Sequence, residues 1–484
     1  MLLTVIAYAM IVVFMYVIMT KKLSPFTSLV MIPLLFAIIA MVAGVANKGT
    51  IGDFVLKGLT TTANTGIMLL FAILYFSIML DAGLFDPITA RMIKIAKGDP
   101  MKVLMATAIV AMAVSLNGDG TTTTLICCSA FIPIYKKLNM NMMNLGVLII
   151  LQNTIMNLLP WGGPTARAMA VLKVDADILT YLLPGMILAL AYVVFYVAPR
   201  MGRAERKRLG VRELTDAEID EMTSVVDPEV SEIRRPNLFL FNGILTIVLI
   251  AWLVASSFIK AIAMPPLLLF LVGTCIALMV NYPKLGDQSK RIGANGGDAV
   301  QVVILVFAAG VFMGLFQGTG MAEALAKSFT SIIPDSLAGF WGLVIALISA
   351  PGTFFLSNDG FYFGVMPVLA TAGRAYGFTN MQMALASLMG QAFHLLSPLV
   401  AFIYLLLRLT GLDMGKWQRE AGKYALGVFA IFVVTVMLFG HVPFYLPQKY
   451  VLTEKYTEKP IMIGFSPYYI TYQQENIARR CPDV

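Results

Sequence analysis

The stretch SLNGDGTTTT, residues 115–124, puts a short polar and acidic run in the middle of a strongly apolar segment. The residues before it read VLMATAIVAMAV, and those after it read LICCSAFIPIY. In a single membrane-spanning helix this polar centre would leave unsatisfied groups in lipid, each at a cost of several kcal/mol. The pattern therefore predicts a re-entrant hairpin over residues 103–135 that is buried within protein.

The composition of the whole chain is typical of a membrane protein. Of 484 residues, 59% are hydrophobic and only 13% are charged, and the mean hydropathy is +0.82. Apolar runs of about 20 residues, the length that crosses ~30 Å of hydrocarbon, recur along the chain and include spans predicted near 64–84 and 299–321. We therefore expect an all-α polytopic membrane protein with about ten transmembrane spans and two re-entrant hairpins.

The positions of the charges predict which segments face the cytoplasm. Lysines flank both ends of the first hairpin, so both ends are expected on the cytoplasmic side: Lys97, Lys102, Lys136 and Lys137. The long charged segment 200–235 is predicted to be a cytoplasmic linker, and the tail 441–484 to lie outside the cytoplasm. The net charge of +8 reflects these basic loops, and we expect no nucleic-acid partner.

The two halves of the chain resemble each other. NGDG at 117–120 has a counterpart in SNDG at 357–360, and NLLPWGGP at 157–164 has one in HLLSPLVA at 394–401. The loop charges make the second hairpin enter from the opposite side of the membrane, which predicts inverted repeats. The predicted parts are a first repeat over 1–199 with an interrupted helix at 142–175, and a second repeat over 236–440 with a hairpin at 336–373 and an interrupted helix at 380–409.

The hairpin tips and helix breaks are the predicted substrate site. Glycines allow positive φ at the tips, and prolines free half-helix N-termini that attract anions. Secondary transporters with inverted repeats place such elements around a site near the middle of the membrane. The residues expected at the tips are Asn117, Gly118, Asp119, Gly120, Thr121 and Thr122 in the first hairpin and Ser357, Asn358, Asp359 and Gly360 in the second. The breaks are expected at 160–164 and 397–398.

Three kinds of charged or titratable side chain accompany these elements, and each has two interpretations. Arg167 can grip a carboxylate with its planar fork, or it can instead reach the membrane interface or pair with a nearby aspartate, Asp175 or Asp177. Asp119 and Asp359 suit a cation or a transported proton, or they cap the hairpin helices. His394 can titrate or donate to a substrate, or it is a packing residue in an apolar run.

Several motifs together resemble the citrate-metal:proton symporter family of the ion transporter superfamily. They are SLNGDGTTTTLICCSAFIPIYKKLNMN, NLLPWGGPTARAMAVLKV, FLSNDGFYFGVMPVLATAGRAYG and GQAFHLLSPLVAFIYLL. The resemblance implies import of citrate complexed with Mg²⁺ or Ca²⁺, driven by protons, by a homodimer in the cell membrane whose transport domain moves. The metal then arrives with the citrate, so neither a fixed metal site nor a resident cofactor is expected. The resemblance brings the breaks into the substrate site through Gly162, Gly163 and Ser397, and Thr165 beside the first break is also expected to bind substrate.

Other functions remain open at this stage. A sodium-coupled di- or tricarboxylate carrier and an oxyanion exporter of the same superfamily would use the same tips, and isocitrate could replace citrate. An ion channel is an alternative from a different class. An enzyme is not expected, because no nucleophile and base stand at motif spacing and the chain has only two histidines, His394 and His441.

Overall fold

A computed structural model describes residues 1–211, 214–215, 218, 228–256, 258–332 and 335–447. Helices account for all of the regular structure in those ranges, and seven of them are long and apolar enough to cross a membrane. Five shorter apolar helices of 10–17 residues accompany them. The predicted all-α polytopic fold is therefore confirmed, while most of the predicted tail and part of the linker lie outside the described residues.

The helices are numbered in chain order. Those of the first half are α1 Leu2–Met19, α2 Pro25–Val42, α3 Ile51–Asp81, α4 Asp86–Ala96, α5 Pro100–Val114, α6 Gly120–Lys137, α7 Met142–Met156, α8 Gly163–Leu172, α9 Ile178–Tyr192 and α10 Ala198–Leu209. Those that follow are α11 Pro228–Ile233, α12 Phe239–Ser256, α13 Pro266–Asn281, α14 Leu285–Gly318, α15 Met321–Ile332, α16 Asp335–Ala338, α17 Trp341–Phe355, α18 Met366–Ala375, α19 Asn380–Met389, α20 Gln391–His394, α21 Ala401–Thr410 and α22 Met414–Leu438.

Side-chain caps fix where the first hairpin and both interrupted helices begin. Asp99 accepts a hydrogen bond from the backbone N–H of Met101 at the start of α5, and Asn141 does the same for Met143 at the start of α7. Thr379 and Gln382 form a reciprocal capping box at the start of α19. These caps satisfy N–H groups that have no partner within the helix, and they define the turns that precede each element.

The pair of long helices α3 and α14 differs from the prediction. Both begin well before the predicted spans near 64–84 and 299–321, and they run antiparallel in close backbone contact. A Cβ at Gly58 would lie 2.0 Å from the carbonyl oxygen of Gly310, and one at Gly314 would lie 2.2 Å from that of Phe54. The basic residue Lys290 therefore lies on α14. Hydropathy marks only the apolar part of a helix that continues beyond it.

The first part of the predicted linker is helical and is attached to the first hairpin. A π-helical turn, Val193–Val197, joins α9 to α10, which packs along α5. Arg206 forms an ion pair with Asp99 at the base of the hairpin, where the Nε to Oδ1 distance is 3.1 Å. A Cβ at Gly202 would lie 2.6 Å from the Cα of Met101. This face of the molecule is called the linker face below.

The contacts between helices divide much of the fold into two groups. The outer group consists of α1–α3 and α12–α14, in which α3 packs against both α13 and α14. The inner group contains the hairpins α5–α6 and α17–α18, the interrupted helices, α9 and α22. Helix α8 lies between the groups, because it contacts α3 and α14 on one side and α19 on the other.

Candidate functional site

The first hairpin tip is held by its own side chains. After α5, a 3₁₀ turn at Ser115–Asn117 leads to Gly118, whose φ of 79° is the left-handed conformation that favours glycine. Asn117 Oδ1 accepts from the N–H of Asp119 at 2.8 Å. The Asp119 carboxylate caps α6 by accepting from the N–H groups of Thr121 at 3.3 Å and Thr122 at 2.6 Å. This geometry matches the capping interpretation of Asp119.

The first helix break packs against that tip. Trp161 Nε1 donates to the carbonyl oxygen of Leu116 at 2.8 Å, and a Cβ at Gly118 would lie 3.2 Å from the Trp161 ring. Gly162 has no room for a side chain, because its Cβ would lie 2.0 Å from the Asn157 carbonyl oxygen. Asn157 Oδ1 accepts from the N–H of Gly163 at 3.2 Å. The glycines thus serve backbone packing within the break.

Thr165 is the remaining polar residue predicted at this break. It is fully buried, and its hydroxyl donates to the carbonyl oxygen of Leu158 at 2.9 Å. The bond ties the first turn of α8 to the irregular segment before it. Thr165 therefore stabilises the break in this conformation.

The second hairpin tip is held both by its own side chains and by a side chain of the second interrupted helix. Ser357 Oγ accepts from the N–H of Gly360 at 3.1 Å, which starts a π-helical turn over Gly360–Val365. Asn358 Oδ1 accepts from Gln391 Nε2 at 2.9 Å, and Gln391 also donates to the hydroxyl of Tyr362 at 3.2 Å. Sequence reasoning missed Gln391, although a lone glutamine in the apolar run beside His394 is a signal that could have found it.

The second break is buried against the second hairpin. His394 Nδ1 lies 2.7 Å from the carbonyl oxygen of Thr353, and only 6% of the residue is exposed. Ser397 is fully buried, and its hydroxyl accepts from the N–H of Leu399 at 3.2 Å. These contacts match the packing interpretation of His394 and give Ser397 a local turn bond.

An ion pair joins the first break to the second tip. Arg167 Nε lies 2.6 Å from Asp359 Oδ1, and Arg167 Nη1 donates to the carbonyl oxygen of Gly163 at 2.9 Å. The two side chains are 18% and 16% exposed. Arg167 thus pairs with neither Asp175 nor Asp177, the partners of the alternative interpretation. It contacts a carboxylate 192 positions away in the sequence.

The tips and breaks of both repeats meet in one region. A Cβ at Gly120 in the first tip would lie 2.2 Å from the ring of Phe402 on α21. With the bonds of Trp161, the pair of Arg167 and Asp359, and the bond of Gln391, each tip contacts residues of both interrupted helices. Arg167 retains N–H donors beyond these two contacts, because a guanidinium carries five. A carboxylate ligand has a donor group available here.

A cavity of about 550 Å³ lies apart from this region. Its lining includes Asn64, Asp175, Asp177 and Ser256. The cavity therefore lies between the α8–α9 connection on one side and helices α3 and α12 on the other. Burial and the neighbouring charge of Asp175 raise the pKa of Asp177 to about 6. The cavity contains none of the residues predicted at the tips or breaks.

A helical membrane protein built on two hairpins and two broken helices belongs to the class of polytopic transporters rather than enzymes. The profile of the citrate transporter family, CitMHS, matches residues 14–390, and the chain belongs to this family. The citrate transporter of Bacillus subtilis (strain 168) is 44% identical over 443 residues, which are 91% of this chain and 100% of that protein. The Mg(2+)/citrate complex secondary transporter of the same organism is 40% identical over 436 residues, 90% of this chain and 97% of that protein.

A solved structure shares the fold. The crystal structure of the YdaH transporter of Alcanivorax borkumensis, described as having an unusual topology, aligns with a TM-score of 0.54. The alignment covers 81% of this chain and 88% of that one at 14% identity. At this identity the likeness supports the arrangement of helices alone.

Proposed function

We propose that this protein imports citrate as a complex with a divalent metal ion, in symport with protons. The observation that carries the proposal is the ion pair between Arg167 and Asp359, which joins the two repeats where all four broken elements meet. Membership of the citrate transporter family supports citrate as the substrate, and the name of the Mg(2+)/citrate relative supports the metal complex.

The chemistry of the pair links substrate to proton. A guanidinium binds a carboxylate through parallel hydrogen bonds, so a citrate carboxylate competes with Asp359 for Arg167. Once Arg167 turns to the substrate, the Asp359 carboxylate has lost its partner in the membrane interior, where an unpaired charge is costly. Asp359 then takes up a proton. Citrate and proton are thereby bound together and released together.

The other two candidate titrating groups are less suited to this role. The carboxylate of Asp119 is engaged as the cap of α6, and His394 is held against the backbone of α17. Both contacts lie within one hairpin or between a hairpin and its own break. Neither group forms an ion pair, within the described ranges, that a substrate carboxylate could displace. We therefore assign the proton to Asp359.

The divalent metal and the movement of helices complete the proposed mechanism. Citrate is a tricarboxylate, and chelating a divalent cation lowers the charge that must leave water. Alternating access requires the inner group to move against the outer group, whose α3 and α14 are held together by close backbone contact. The proposal includes a homodimer in the cell membrane, as in the family that the motifs resemble.

Uptake of labelled citrate into proteoliposomes tests the proposal. An inward proton gradient or a sodium gradient is imposed in the presence of Mg²⁺, Ca²⁺ or a chelator. Uptake that requires both the divalent metal and the proton gradient supports the symporter. Uptake of free citrate with sodium alone would assign the protein to the sodium-coupled carriers, and steady currents without any gradient coupling would assign it to the channels.

A further inference from the structure

Three positively charged side chains lie together on the face opposite the linker face. Lys173 follows the last residue of α8, and α9 runs from there to α10 on the linker face. Lys173 Nζ donates to Gln317 Oε1 near the end of α14 at 2.8 Å. Lys57 lies on the α3 turn beside it, because a Cβ at Gly318 would lie 2.4 Å from the ring of Phe54. Lys173 thus contacts the end of α14, and Lys57 lies on the helix packed against that end.

The third cation belongs to the second hairpin. Arg374 lies at the end of α18, where it donates to Asn380 Oδ1 at 3.0 Å and to Thr371 Oγ1 at 2.8 Å. Its guanidinium has further N–H groups available. Burial is the main cause that lowers the pKa of Lys173, and the charges of Lys57 and Arg374 lower it further.

None of these three cations forms an ion pair in the part of the chain that the structure describes. Within the described ranges, no aspartate or glutamate oxygen lies in ion-pair distance of Lys57, Lys173 or Arg374. Asp175 follows Lys173 closely but lines the separate cavity. On the linker face, by contrast, Arg206 does form an ion pair, with Asp99. Like charges brought together without a counterion are unfavourable until an anion joins them.

We propose that Lys57, Lys173 and Arg374 form a capture site for the carboxylates of citrate or its metal complex, before the substrate reaches Arg167. The inference rests on the proposed function and extends it to a second binding site. The cluster lies at the end of α8, which contacts α3 and α14 as well as the second hairpin, so it borders the surface that alternating access must open. Arg167 precedes Lys173 by six residues on the same helix, roughly 9 Å along its axis.

Transport kinetics test the site. Lys57→Gln and Lys173→Gln, each a neutral replacement, are compared with Lys48→Gln, an exposed lysine in the connection between α2 and α3. If the capture site exists, the KM for citrate with Mg²⁺ rises about 5- to 10-fold in Lys57→Gln and in Lys173→Gln, because each variant loses electrostatic steering of the substrate. The maximal rate is unchanged. The Lys48 variant keeps the wild-type KM. A wild-type KM in both site variants, or a lower maximal rate with KM unchanged, overturns the proposal.

A second measurement separates the capture site from transport itself. The purified wild-type protein is labelled with an amine-reactive reagent, and the modification of each lysine is measured by peptide mass spectrometry. Citrate with Mg²⁺ slows labelling of Lys57 and Lys173 but leaves Lys48 unchanged if the cluster binds carboxylates. Equal labelling of Lys57 and Lys173 with and without citrate refutes the capture site. If citrate slows the labelling of these lysines but the wild-type protein takes up no citrate, only the proposed transport function is refuted.

Discussion

At the scale of single residues, the proton is assigned to Asp359 because Arg167 is the partner it can lose. Asp359→Asn removes the titrating group but keeps the shape and one acceptor oxygen. We expect the variant to exchange labelled for unlabelled citrate across the membrane, but to lose accumulation driven by a proton gradient. Both activities are measured in proteoliposomes. Asp413→Asn, at the cap of α22, is the matched control. Retained gradient-driven accumulation in Asp359→Asn would assign the proton elsewhere.

Arg167 supplies shape as well as charge. In Arg167→Lys the planar fork becomes a point charge, so the bidentate grip on a carboxylate is lost. We expect the apparent affinity for citrate to fall roughly 10- to 100-fold, or ~1.4 to 2.7 kcal/mol, in uptake kinetics. Arg206→Lys, which alters an ion pair on the linker face, serves as the comparison and should keep the wild-type affinity. An unchanged affinity in Arg167→Lys would place the substrate carboxylates elsewhere.

The sequence indicated which residues lie near the tips but not how they pair. Asp119 and Asp359 occupy equivalent positions in the repeats, yet one caps a helix and the other pairs with Arg167. That difference arises from a contact between halves, which no local pattern encodes. Trp161 stands in the PWGGP motif, but nothing in the local sequence indicates that its indole N–H donates to the first tip.

At the scale of helices, the contact between α3 and α14 depends on glycine. A Cβ at Gly314 would lie 2.2 Å from the backbone oxygen of Phe54, so Gly314→Ala must push the helices apart. We expect a loss of about 1–3 kcal/mol, seen as a lower Tm of the purified protein. Gly243→Ala on α12 is the control, since nothing lies within 4 Å of its Cβ position. It should keep or raise the Tm, because alanine favours helix. Equal Tm values for both variants would contradict this account.

The bounds of the elements were predictable where polarity interrupts an apolar run. The first hairpin, predicted at 103–135, has helices over Pro100–Val114 and Gly120–Lys137 around the polar tip. Helix Asp86–Ala96 was missed, since it is polar enough to resemble a loop. The glycines spaced four apart at 310, 314 and 318 were a signal for close helix packing that hydropathy does not register.

At the scale of the whole molecule, the cost of moving citrate depends on its charge. A free tricarboxylate brings more charge out of water than its complex with a divalent cation, and a single ion pair such as that of Arg167 cannot offset the difference. We therefore expect uptake at fixed total citrate to rise with Mg²⁺ in proportion to the complex formed, and to fall at least about 10-fold with excess chelator.

The shape of the metal titration distinguishes a metal that travels with citrate from one that activates the protein. If Mg²⁺ is part of the substrate, the Mg²⁺ concentration for half-maximal uptake shifts with the citrate concentration, because both set the amount of complex. A metal bound to the protein alone would give a constant half-maximal concentration at every citrate level. Co-transport of radioactive Ca²⁺ with citrate provides the direct check, since a carried metal must appear inside the vesicles together with the citrate. Citrate uptake without metal uptake would exclude the complex as the substrate.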